Sequence, residues 1–119
     1  MGNVVGIHHI GFKTTNLDRF VRLMRCVFDE IEVKEELSGA LFITIPGSTP
    51  LQVRQAGPGD DLSKQTFKPA IAVRNNVQFI EQLRDHAIIF GTRRLQAFKA
   101  VDFEIEGVQF HTVEIGDVE

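Results

Sequence analysis

The chain has 119 residues, 43% of them hydrophobic and 24% charged, with a formal net charge of −3. That suffices for one compact domain with a real core and is too little for two ordinary ones. The slight acidity supplies no basic face for nucleic acid, no apolar run reaches membrane-spanning length, and one cysteine excludes an internal disulfide framework.

Residues 4–13 alternate and contain Val, Ile and Phe, which predicts a strand. Thr14-Thr15-Asn16 supplies capping oxygens, and Asp18 suits the first turn of a helix. Leu17, Phe20, Val21, Met24, Val27 and Phe28 then fall at helical spacing. Cys26 lies inside this segment beside Val27 and Phe28 and reads as a buried structural thiol. From Ile31 the period changes to two. Ile31–Lys34 alternates, Ser38-Gly39 turns, Leu41, Ile43 and Ile45 share a strand face, and Leu51-Gln52-Val53-Arg54 follows the Pro46-Gly47-Ser48 turn. Residues 56–66 are polar, rich in Gly and Pro, and without periodicity, as expected of a linker.

The plan then repeats. Residues 67–73 read as a strand, and Asn75 with Gln78 fits a capping box opening a helix striped by Val77, Ile80, Leu83 and Ala87. Three further strands are expected over 88–95, 98–105 and 108–115, with Glu106-Gly107 as the last tight turn. At offsets of about 59 or 60, His9 aligns with Lys68, Phe12 with Ile71, Gly47 with Gly107, and Gln52 with His111. A duplicated β-α-β-β-β unit follows: one domain over 1–119, with modules over 4–55 and 67–117.

Two stretches carry a family likeness. The opening His9-Ile-Gly-Phe-Lys-Thr-Thr-Asn-Leu-Asp18 and the closing Asp102-Phe-Glu-Ile-Glu-Gly-Val-Gln-Phe-His-Thr112 resemble the first and last strands of vicinal oxygen chelate proteins, the glyoxalase, bleomycin-resistance and extradiol-dioxygenase superfamily. The resemblance spans nearly the whole chain, and the repeated order of elements is its more specific part. It implies an α+β fold in which two βαβββ modules form a curled mixed-sheet cleft with helices outside. It also implies a divalent metal (Zn, Ni, Mn or Fe) held by the first and last strand of each module. Carried over, those positions are His9, Gln52, Lys68 and His111, of which His9, Gln52 and His111 are the candidate ligands. Lys68 weighs against the ion. An ammonium about 4 Å from a divalent cation is repelled by several kcal/mol even at an effective dielectric near 20. The reading therefore favours no cofactor over a metal.

Strand parity gives an independent list. With Ile10 and Phe12 under the helix, His9, Gly11 and Lys13 face the cleft and His8 the helix side. The same alternation sends Gln52, Arg54, Lys68, His111, Asp102 and Glu104 into the cleft. His9, His111 or Glu104 would act as base or ligand, while Arg54 and Lys68 would hold an anion and Gln52 and Asp102 line the site. The adjacent Arg93-Arg94 reads as a solvated strand end, and His86 as a surface residue near a helix end. The expectation is a glyoxalase-like protein acting on a small oxygenated, possibly anionic molecule, as a lyase, isomerase, dioxygenase or metal-independent relative. The alternative is a non-catalytic small-molecule or drug-sequestering protein with a degenerate metal site, and catalysis itself is left open. The expected partners are a small ligand and a second copy, without nucleic acid or membrane. The cytoplasm is the expected compartment.

Overall fold

Strand β1 (Ile10–Thr14), helix α1 (Leu17–Val27) and strands β2 (Glu32–Glu35), β3 (Leu41–Thr44) and β4 (Leu51–Gln55) make the first module. Strand β5 (Ala70–Val73), helix α2 (Asn76–Asp85) and strands β6 (Phe90–Arg94), β7 (Lys99–Ile105) and β8 (Val108–Glu114) repeat it. The computed structural model describes residues 3–4, 6–28, 30–65, 68–94 and 99–115. Phe67, Leu95 and Phe98, expected in strands, lie outside them.

Each module forms its own four-stranded mixed sheet, ordered β1-β4-β3-β2 and β5-β8-β7-β6. In both, the first strand pairs parallel with the last, Gly11 opposite Gln52 and Ala70 opposite His111, and the remaining pairs are antiparallel. The helix between the first two strands lets the first and last strands run parallel.

Both helices take the expected asparagine N-caps, Asn75 making its own half of the capping box. Asn16 Oδ1 accepts from the Arg19 N–H at 3.0 Å, and Asn75 Oδ1 accepts from the N–H groups of Val77 and Gln78. Phe20, Met24 and Val27 bury one face of α1. Cys26 is exposed rather than buried. At about 100° per residue it points some 160° away from Met24, on the solvent side of the helix.

Helix α2 is rotated relative to its expected stripe. Val77 is 68% exposed and Ala87 lies outside the core, whereas Asn76, Phe79 and Leu83 are buried. A polar network holds that orientation. The Thr112 hydroxyl donates to Asn76 Oδ1 at 2.8 Å, and Asn76 Nδ2 donates to the Lys99 carbonyl and Glu114 Oε2. The Val101 N–H donates to the Thr112 hydroxyl at 2.9 Å. Each buried polar atom in this set has a partner, so its burial is not penalised as an orphan would be.

The two apolar sheet faces share one core. Phe20 of α1 stacks on Phe110 of β8 with centroids 6.2 Å apart, and Phe110 stacks on Phe103 at 5.0 Å. At the module junction the turn after β7 docks on the end of β1. The Glu106 carbonyl accepts from the Thr14 hydroxyl at 2.7 Å and the Thr15 N–H at 3.0 Å, and Arg19 pairs with the Glu106 carboxylate. Gly107, at φ +82, is required there: a Cβ would meet Leu62 Cδ1 at 2.7 Å and Thr15 Cγ2 at 2.9 Å. The linker is not structureless. It carries a 3-10 turn, Leu62–Lys64, and Gln65 donates to and accepts from the Lys13 backbone on the free edge of β1.

Candidate functional site

Alternation assigns the outer faces. In β7, Val101, Phe103 and Ile105 are buried while Asp102 and Glu104 face outward; in β8, Phe110 and Thr112 are buried while Gln109 and His111 face outward. In β4, Leu51 and Val53 are buried and Gln52 and Arg54 point away from the core. The parity expected for these residues holds.

On the second module this places a charged cluster. Asp102 is opposite His111 across the β7–β8 pair. Lys68, just before β5, donates to Asp102 Oδ1 at 3.0 Å. Arg93 of β6 grips the same carboxylate, Nε to Oδ2 at 2.9 Å and Nη2 to Oδ1 at 3.0 Å. Burial raises the Asp102 pKa, but hydrogen bonds and charge from Lys68 and Arg93 outweigh it, so the group sits below its ordinary value. Two cations on one carboxylate leave that cluster with a net positive charge, while Glu104 stands two residues along the same face. Beside it, His111 Nδ1 is buried and has no hydrogen-bond partner among the described residues. Glu104 is occupied by Gln109, whose Nε2 donates to it at 2.7 Å.

Arg93 is the residue that the sequence reading assigned elsewhere. It lies diagonally from Asp102, because Arg93 pairs with Ala100 and Gly91 pairs with Asp102. Diagonal neighbours in a sheet lie within reach of a long side chain, and glycine opposite Asp102 leaves that path open.

The first module presents His8, His9, Gln52, Arg54 and Phe42. Here the parity expectation fails for His8, which is exposed rather than turned to the helix side. Strand β1 begins at Ile10 rather than at residue 4, so alternation does not govern the histidines. His8 and His9 are both exposed, with Nδ1 atoms 2.9 Å apart, and both rings meet Phe42 edge-on, with centroids 6.3 and 5.2 Å from it. Gln52 lies over Gly11, where its Oε1 is 3.3 Å from the position a Cβ would take.

No hydrogen bond or ion pair among the described residues links these two outward faces. His9 and Gln52 stand on one, and Lys68 and His111 on the other. The Lys68 ammonium is engaged by Asp102, and no group of three or more His, Cys, Asp or Glu among the described residues could hold a metal ion. No helix among the described residues is long and apolar enough to cross a membrane.

No known family's sequence profile matches the chain, and no curated protein is similar to it in sequence. Solved structures are similar in fold. A fosfomycin resistance protein, FosX, from Listeria monocytogenes superposes with a TM-score of 0.74 at 14% identity, covering 98% of this chain and 94% of that one. A variant of that protein, complexed with Mn(II) and 1S,2S-dihydroxypropylphosphonic acid, gives 0.75 at 15% identity, covering 97% and 95%. FosX from Mesorhizobium loti gives 0.68 at 17% identity, covering 92% and 91%. The likeness read from the histidine strand and the closing hairpin thus holds at the level of architecture: this chain has the two-module βαβββ fold of the glyoxalase-like, vicinal oxygen chelate proteins.

Proposed function

We propose that this chain takes a small oxygenated anion at the Lys68–Arg93 cluster on the outward face of its second module, with those two cations holding the charge and His111 beside them. The observation that carries this is Asp102, clamped by two cations beside an imidazole nitrogen that lacks a partner. A planar guanidinium and an ammonium are the groups that recognise phosphonate or carboxylate oxygens. The phosphonate diol bound by a similarly folded protein supports that ligand class. Glu104, tied to Gln109, is a weaker candidate for a base than His111.

The experiment is a calorimetric titration with fosfomycin, 1,2-dihydroxypropylphosphonate, lactate and inorganic phosphate, followed by phosphorus or proton NMR of the mixture. Binding that falls roughly tenfold or more in Lys68→Met and Arg93→Met is the expected result. Affinity unchanged in both variants would sink the proposal. A ligand altered in the NMR tube marks an enzyme, and one recovered intact marks a sequestering protein.

We further infer that a second copy completes the site. The chain exposes 8254 Å², whereas a folded monomer of its mass exposes about 6,500 Å². The excess, roughly 1,700 Å², is about twice what each partner buries in a standard interface. His9, Gln52 and Arg54 on one outward face and Lys68 and His111 on the other suit a cleft assembled from two chains. Sedimentation at tens of micromolar is expected to give a dimer; a strict monomer would rule out the shared cleft.

A further inference from the structure

We infer that the free edge of β5 takes an extended, basic peptide segment of a partner protein as an added strand of the second sheet. The inference does not rest on the anion reading, because it uses neither Lys68 nor the outward faces of β7 and β8.

Each sheet ends in two edge strands, β1 and β2 in the first and β5 and β6 in the second. An open edge can pair with a passing strand, and proteins protect such edges with charge, proline or a covering segment. Three of the four edges here have that protection. Gln65 closes β1, its amide bonded to both the N–H and the carbonyl of Lys13. Strand β2 carries Glu32, Lys34 and Glu35, and β6 carries Arg93 and Arg94. Strand β5 reads Ala-Ile-Ala-Val and has neither charge nor cover among the described residues. The Pro69 and Val73 carbonyls accept from the N–H groups of His111 and Ile115, at 3.1 and 2.8 Å. Alternation therefore turns the N–H and C=O of Ala70 and Ala72 away from β8, towards the free side. Both residues are exposed. Phe12 and Ile71 are equivalent in the repeat, so Ala72 stands where Lys13 stands in the first module. No counterpart of Gln65 reaches it among the described residues.

Beside this edge lies an open groove of about 920 Å³. Its apolar walls include Val27, Phe28 and Ile45 of the first module and Ile71, Val73 and Phe79 of the second. Its charged residues are Glu30, Glu81 and Asp85 against Arg74 alone. No ion pair among the described residues neutralises those carboxylates. A strand added to β5 would send alternate side chains into the apolar groove, and its lysines or arginines would meet the acidic residues. The charge also decides against a second copy at this edge. Pairing β5 with itself across a two-fold axis would set two acidic grooves against each other, and β1 is already closed by Gln65.

The test uses the full chain and a fluorescein-labelled peptide of alternating valine and threonine with lysines at both ends, followed by fluorescence anisotropy. Saturable binding is expected. It should weaken roughly tenfold or more when glutamates replace the lysines, and equally when alternate peptide nitrogens are methylated. Ala72→Pro removes an outward N–H without touching the ladder to β8, and it should weaken binding by a similar factor. Glu81→Gln combined with Asp85→Asn should weaken the lysine peptide and not the glutamate one. Circular dichroism checks that the variants remain folded, and the methylated peptide tests the same ladder without altering the protein. No saturable binding of the lysine peptide, or equal binding of its methylated form, would overturn the inference. A dimer of the parent chain that Ala72→Pro dissociates in sedimentation would assign the edge to a second copy and overturn it too. Anion binding at Lys68 and Arg93 is measured separately and depends on none of these results.

Discussion

Replacing Phe110 with alanine is expected to remove most of the stability of the molecule. The side chain is fully buried, and it stacks on Phe103 within its own module and on Phe20 of α1 in the other. Cutting a buried Phe to Ala costs about 3–5 kcal/mol, from lost transfer energy and the cavity left behind. Two aromatic stacks add roughly 0.5–1.5 kcal/mol each beyond area. Domains of this size are stable by only about 5–15 kcal/mol. The variant should therefore melt far below the parent and be substantially unfolded at modest guanidinium concentration. Phe110→Leu, which keeps most of the volume, should retain most of the stability, and Phe42→Ala, on the outward face, should lose much less. Chemical denaturation of the three variants checks the ranking. A loss below about 1 kcal/mol in Phe110→Ala would mean that the modules do not share a core through this ring.

The architecture was legible because duplication and alternation are both properties of the residue string. Gln52 matching His111 and Gly47 matching Gly107 located the last strand and the turn of each module. The outward faces of β4, β7 and β8 followed from the period of two, since a one-residue slip would have turned Phe103, Phe110 and Val53 out of the core. What failed did so where pattern gives way to three-dimensional pairing. Val77 was expected in the stripe of α2 on hydrophobicity alone, but the hydrogen bonds of Asn76 to Thr112, Lys99 and Glu114 fix the rotation of that helix. Nothing local in the sequence announces those partners. Cys26 was placed inside because its neighbours are apolar, although the 3.6-residue repeat alone would have put it outside. His8 and His9 were separated by strand parity, which does not apply before Ile10. Arg93 could be linked to Asp102 only once the register of β6 against β7 was known, because their contact is diagonal. The candidate site was thus readable by residue type on the second module, and its cationic clamp was not.

Neutralising Asp102 should strengthen anion binding while weakening the fold in alkaline and neutral solution more than in acid. In the parent, the carboxylate occupies three donor groups of Lys68 and Arg93. Any phosphonate or carboxylate arriving at those cations competes with it. Removing a like charge about 6 Å from the incoming anion relieves between about 0.7 kcal/mol at the dielectric of water and about 2.8 kcal/mol at an effective value near 20. Asp102→Asn is therefore expected to bind the anion roughly tenfold more tightly, the reverse of Lys68→Met or Arg93→Met. Stability moves the other way. The folded-state pKa of Asp102 is depressed, with the raising effect of burial overcome by its two cations. Its stabilisation is thus fully present above the unfolded value near 3.9 and is lost as pH falls through the lower folded value. The parent should lose a component of stability on acidification below about pH 4 that Asp102→Asn lacks, so the two denaturation midpoints converge in acid and separate at neutral pH. Parallel calorimetry and denaturation over that range check both halves. Weaker anion binding in Asp102→Asn would make the carboxylate a positioning residue that holds Lys68 and Arg93 in place, and the competing-acceptor account would be abandoned.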